Sequence, residues 1–120
     1  MRSLVLAQGL LLVLLGIASA QAAERRCGWL KNPTPGNWSL LDRDGEWLLA
    51  SQGGHEASGM EEMPDMTGAG WVATNGRSYG HGCACLTVEV DRAEQRVVRL
   101  LSAQPLPLAR CRADRSLPPP

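Results

Sequence analysis

Apolar and polar residues alternate most cleanly from Ala84. Ala84, Leu86, Val88 and Val90 fall on one side and Cys85, Thr87 and Glu89 on the other, the period of a strand with one buried face. Asp91 to Gln95 should turn the chain, and Arg96 to Ser102 should return as a second strand. Upstream, the run from Trp38 to Ala50, WSLLDRDGEWLLA, reads as a hairpin. Asp42 can accept backbone hydrogen bonds at the first position of a type I turn, and Gly45 can take the left-handed conformation at its end, which predicts a three-residue connection with a glycine bulge. That register sets Leu41 opposite Trp47, Leu40 opposite Leu48 and Trp38 opposite Ala50. Because both faces carry apolar residues, the pattern resists a one-residue slip only weakly.

Between these runs the chain is punctuated too often for long helices. Lys31 to Asn37, KNPTPGN, is expected to be a turn or irregular stretch and not a central strand, since its two prolines remove backbone donors. Ser51 to Gly70, rich in Gly, Met and acids, reads as a long mobile loop with one helical turn near Glu61-Glu62-Met63; connections of that length are often functional. A short strand over Trp71 to Thr74 and a turn at Asn75-Gly76 follow, and Pro105 to Leu108 is expected to be extended. The sum is a mainly β chain: a small single-domain antiparallel sheet of about four to six strands, or a partial barrel.

The ends define the domain. Met1-Arg2, an apolar stretch from Leu10 to Ala18 and the small-residue ending Ala18-Ser19-Ala20 have the form of a secretory signal cut after Ala20. Gln8 and Gly9 interrupt the segment, and the remaining apolar run is short for a membrane span. The expected organisation is a signal peptide over 1–20, an N-terminal tail over 21–26, the folded domain over 27–116 and a proline-rich tail over 117–120. Without Arg2 the remainder carries 11 basic and 12 acidic residues, a balance that argues against nucleic acid as a partner. The charges are segregated: Asp42 to Asp65 holds seven acids against Arg43 alone, while Arg77 to Arg115 holds seven arginines against four acids. Two mutually attracting solvated faces explain this, and so does a surface that steers a charged partner.

Four cysteines in an exported chain imply two disulfides. A bridge between Cys83 and Cys85 is the least favourable, because two residues apart on a strand their side chains leave the same face side by side. Cys27 and Cys111 are then the partners of that pair, with Cys27–Cys85 and Cys83–Cys111 preferred and Cys27–Cys83 with Cys85–Cys111 left open. The competing chemistry is a soft-metal or redox site of His81, Cys83 and Cys85, which needs reduced thiols; a cysteine nucleophile with His81 or His55 as base is a weaker variant.

No hydrolase elbow, phosphate loop, zinc-protease motif or dinucleotide fingerprint is present. Asp42 and Asp44 are accounted for by turn chemistry before acid/base work or calcium binding. Trp29, Trp38, Trp47 and Trp71 are core candidates, or in part a stacking platform. Gly76 to Gly82, directly before the disulfide strand, is the best surface loop, which makes Trp71, Arg77, Tyr79 and His81 the expected binding surface. The expectation is a non-enzymatic binding or inhibitor-like module without a cofactor, its partner an envelope protein or glycan.

Four segments carry a resemblance: CGWLKNPTPGNWSLLDRDGEW from Cys27 to Trp47, SQGG from Ser51 to Gly54, TNGRSYGHGCACLTV from Thr74 to Val88, and PLPLARCRADRSLP from Pro105 to Pro118. Together they resemble domain-of-unknown-function family 4087, uncharacterised small exported bacterial proteins. The resemblance implies a secreted or periplasmic location and brings no activity, cofactor or catalytic residue with it. His55 to Gly70 is where the match is thinnest.

Overall fold

The computed structural model describes residues 3, 9–12, 22–68 and 70–120; the predicted signal segment and its cut after Ala20 lie largely outside them. Six strands and one short helix follow: β1 (Glu24–Thr34), β2 (Asn37–Asp42), β3 (Gly45–Ala50), β4 (Val72–Ala73), β5 (Gly80–Asp91), β6 (Arg96–Leu106) and α1 (Leu108–Ala113). They form one sheet in the order β1-β2-β3-β6-β5-β4, and β1 also pairs with β5, so the sheet curls back on itself. The pairings are antiparallel except that β3 meets β6 in parallel, through Leu48 opposite Arg96. Without the two-residue β4, this is a partly open five-stranded Greek-key barrel with the connectivity of the OB-fold.

The alternation along β5 points Ala84, Leu86, Val88 and Val90 into the barrel, where they meet Leu30, Leu40, Trp47, Leu49, Val97 and Leu100. Cys83 and Cys85 on the opposite face are buried too. The reason is a second, outer cluster in which Trp29, Cys83 and Cys111 are covered by Leu41, Leu106, Leu108 and Leu117. Leu108 therefore opens a helix instead of extending β6, and Leu117, assigned from sequence to the proline-rich tail, packs against the barrel wall.

Two stretches read as irregular are strand. β1 takes in Glu24 to Arg26, expected in the N-terminal tail, and continues through Lys31 and Asn32, which pair with Ser39 on β2 and with His81 and Gly80 on β5. Pro33 is tolerated because it sits where the β1–β2 register shifts, between Lys31 and Thr34, and so interrupts no regular ladder. Asn32 Nδ2 donates to the Thr34 and Asn37 carbonyls at 3.0 and 2.8 Å, closing the turn at Pro35-Gly36.

The predicted hairpin forms, with Gly45 at φ 121, but its register slips by one. Leu40 faces Trp47 and Leu41 faces Glu46, and a bulge between Trp38 and Ser39 then restores Trp38 opposite Ala50. The slip puts Leu40 and Trp47 together in the core and leaves Glu46 in solvent, the arrangement that buries the larger apolar area.

The connection from Ser51 to Gly70 is not a free loop. It wedges into the seam that the single β3–β6 pairing leaves open: Ala57 N donates to Leu49 O of β3 at 2.8 Å, Ser58 N to Val98 O of β6 at 3.0 Å, and Leu100 N to Ser58 O at 2.7 Å. Ala57 and Met66 are buried, and a 3₁₀ turn over Met60–Glu62 lays Met60 and Met63 against the core.

Candidate functional site

Both preferred disulfides are formed, Cys27–Cys85 and Cys83–Cys111. The β1–β5 register decides the first, because Cys27 stands directly opposite Cys85, while Cys83 stands opposite Trp29 and turns toward α1. With all four sulfurs paired, no thiolate is left to bind a soft metal with His81 or to act as a nucleophile. Among the described residues, no three His, Cys, Asp or Glu side chains converge as a metal site.

Trp71, Arg77, Tyr79 and His81 lie along one stretch but do not share one face. The half-buried Trp71 packs toward the barrel interior and donates its indole N–H to Ser78 O at 2.9 Å. Its ring lies so close to Gly82 that a Cβ there would come within 2.7 Å. His81 points to the outer side, edge-on to Trp29 with 5.4 Å between ring centroids. Burial, followed by the charges of Lys31 and Arg112, holds its imidazole below the ordinary histidine value. Arg77 is exposed at the turn with φ 48, and Tyr79 closes that turn through backbone hydrogen bonds. Asn75 Nδ2 donates to Pro33 O at 3.0 Å and ties the turn to the end of β1.

A second group sits beneath the hairpin. Arg26, only 7% exposed, bonds Asp42 Oδ2 at 2.7 Å and Asp44 Oδ2 at 3.1 Å, and its guanidinium lies 4.0 Å from the centroid of the Trp47 ring. Trp47 Nε1 donates to the other oxygen of Asp42 at 3.0 Å. Burial disfavours the charge on Arg26; the hydrogen bonds and charges of Asp42, Asp44 and Glu24 outweigh it and raise its pKa. The adjoining hollow, about 300 Å³, is rimmed by charges of both signs. This arrangement reads as a frame that holds the hairpin rather than a ligand site, since the buried Arg26 is already bonded to Glu24, Asp42 and Asp44.

A broad concave surface is centred on Trp38, which the sequence offered only as one of four possible platform tryptophans. One hollow of about 700 Å³ runs between Trp38, Ala50, the Gln52–Gly54 turn and the pair Met60 and Met63, with Glu56 and Glu61 at its margin. A neighbouring hollow of about 440 Å³ lies across β2 and β3 and shares Trp38 and Ala50; Pro33, Leu48, Glu46, Glu94 and Gln95 border it. Both volumes fall within the range of ligand clefts. Ser39 Oγ donates to Glu46 Oε1 at 2.7 Å, and with Lys31 nearby this lowers the Glu46 pKa. The sequence signal for this surface is present in hindsight: Met60 and Met63 stand three apart among acids, but they gain a partner only once the seam connection brings them beside Trp38.

Fold and surface together define a small disulfide-locked β-barrel that displays a concave, partly apolar groove over its second and third strands. Among the described residues, no helix is long and apolar enough to cross a membrane. The chain belongs to the family described as Protein of unknown function (DUF4087), which matches residues 21–118. No curated protein and no solved structure matches it.

Proposed function

We propose that this protein is a non-enzymatic binding module, inhibitor-like in form, that acts in the periplasm or outside a bacterial cell on an envelope protein or glycan. The observation that carries this reading is the groove centred on Trp38. It comprises two adjoining hollows that share Trp38 and Ala50, on a frame whose two ends are stapled to the central strand β5 by Cys27–Cys85 and Cys83–Cys111. A rigid frame lowers the entropy lost on association, so a modest surface can still bind well. Asn75, on the turn that holds Arg77 and Tyr79, donates to Pro33 O, and Pro33 borders the groove.

Export is supported by the pairing of every cysteine, which persists in oxidising compartments, and by the signal-like pattern of residues 1–20. Leu10, Leu11 and Leu12 are exposed and outside the barrel core. In OB-type barrels the face over strands two and three binds extended ligands; the correspondence here is one of fold, and fold alone assigns no ligand. The test is retention of envelope proteins and glycans on the immobilised oxidised protein. Wild type should retain a component that Trp38→Ala, with its barrel intact by circular dichroism, does not. Identical retained sets for wild type, Trp38→Ala and Trp71→Ala would overturn the reading.

A further inference from the structure

We infer that the occupant of the Trp38 groove is a basic, extended peptide segment in which Lys or Arg alternates with apolar side chains. This rests on the binding-module reading and specifies the partner. The first observation is the charge of the margin: Glu56 and Glu61 border one hollow, Glu46 and Glu94 the other, and among the described residues neither lining contains a Lys or Arg. Lys31 Nζ meets Glu46 Oε1 from outside the hollow at 3.4 Å and Ser39 Oγ donates to the same oxygen at 2.7 Å, so both contacts fall on one of the two carboxylate oxygens. A pair of carboxylates at each hollow repels phosphate, sulfate and uronate groups and attracts ammonium and guanidinium groups.

The floor is the second observation. Trp38, Met60 and Met63 are half-buried against the core, and Leu48 borders the neighbouring hollow. Met60 opens the 3₁₀ turn and Met63 caps it, with Met63 N donating to Met60 O at 3.1 Å, and both pack against the core. Thioethers are weak hydrogen-bond acceptors and adaptable apolar surfaces, so this floor offers a seat to aliphatic side chains. An indole beside acids also favours a cation above the ring; the barrel uses that pairing itself where Arg26 lies over Trp47 at 4.0 Å. Two adjoining hollows that meet at one tryptophan fit a chain laid across them rather than a single small molecule.

The test is an NMR titration that follows the four indole N–H signals of the oxidised protein, with Trp38 assigned by Trp38→Phe. The probes are acetylated decapeptides alternating Arg with Val, Gln with Val and Glu with Val, and a disaccharide-peptide fragment of peptidoglycan. The Arg–Val peptide should shift the Trp38 signal saturably and bind more weakly as salt shortens the Debye length from about 30 Å at 0.01 M to about 8 Å at 0.15 M. Glu56→Lys combined with Glu61→Lys, both exposed positions, should weaken it about tenfold, a change of about 1.4 kcal/mol. Equal binding of the Gln–Val peptide, or no shift with the Arg–Val peptide, would overturn the inference. Binding of the glycan fragment alone at Trp38 would overturn it while leaving the binding-module reading intact.

Discussion

Asp42 does three jobs at once. Its Oδ1 accepts from Asp44 N at 2.8 Å, the turn chemistry legible in the sequence, and from Trp47 Nε1 at 3.0 Å, while Oδ2 meets Arg26 at 2.7 Å. The last two contacts were not legible, because Arg26 is 16 residues away and its neighbours look like an exported tail. With Arg26 7% and Asp42 4% exposed, removal of Asp42 takes away the shortest contact of a buried guanidinium and leaves it only the more exposed Glu24 and Asp44. Asp42→Ala should cost about 3–5 kcal/mol in urea unfolding, more than the paired replacement of Arg26 by Met and Asp42 by Leu. His81 makes a pH prediction. Its folded pKa lies below the ordinary value of about 6.5, so the unfolded chain takes up the proton first. Stability should therefore fall as pH drops below about 6.5 and level off once the folded value is passed. Arg112→Gln should move the imidazole titration upward in NMR, because it removes one of the opposing charges.

At the scale of elements, the strands marked by a clean alternation or by a turn signal were readable, and a strand with neither was not. β5 and β6 follow from alternation and a turn. β1 did not, because it is paired along both edges and begins with charged residues that the fold buries or bridges. The seam connection was read as loose since its apolar positions, Ala57, Met60, Met63 and Met66, follow no strand or helix period. Gly59 tests its role: it sits at φ 83, and an added Cβ would meet Leu100 O at 2.1 Å. Gly59→Ala should cost at least about 1–3 kcal/mol through backbone strain. The amide of Leu100, bonded to Ser58 O, should then lose hydrogen-exchange protection before the β1–β5 amides do.

For the whole molecule, the disulfides close the chain over separations of 58 and 28 residues. In the chain-entropy account they contribute about 4 and about 3.5 kcal/mol. Replacing Cys27 and Cys85 with Ser should lower the denaturant midpoint substantially, and replacing Cys83 and Cys111 should in addition expose Trp29 as α1 detaches. Peptide mapping of the oxidised protein should recover the 27–85 and 83–111 cross-links; the alternative pairing would contradict the β1–β5 register.

Local chemistry along the chain was enough to establish a mainly β domain, the hairpin turn at Asp42 to Gly45, the inward face of β5 and a framework of two disulfides, because each depends on residues close together or on a simple period. Membership of the family was equally legible in its motifs. The hairpin register, the burial of Arg26 and the assembly of the Trp38 groove were decided only in three dimensions. Each depends on which distant segments compete for the same buried surface, and ring closure of the barrel settles that competition in a way that no short window of residues encodes.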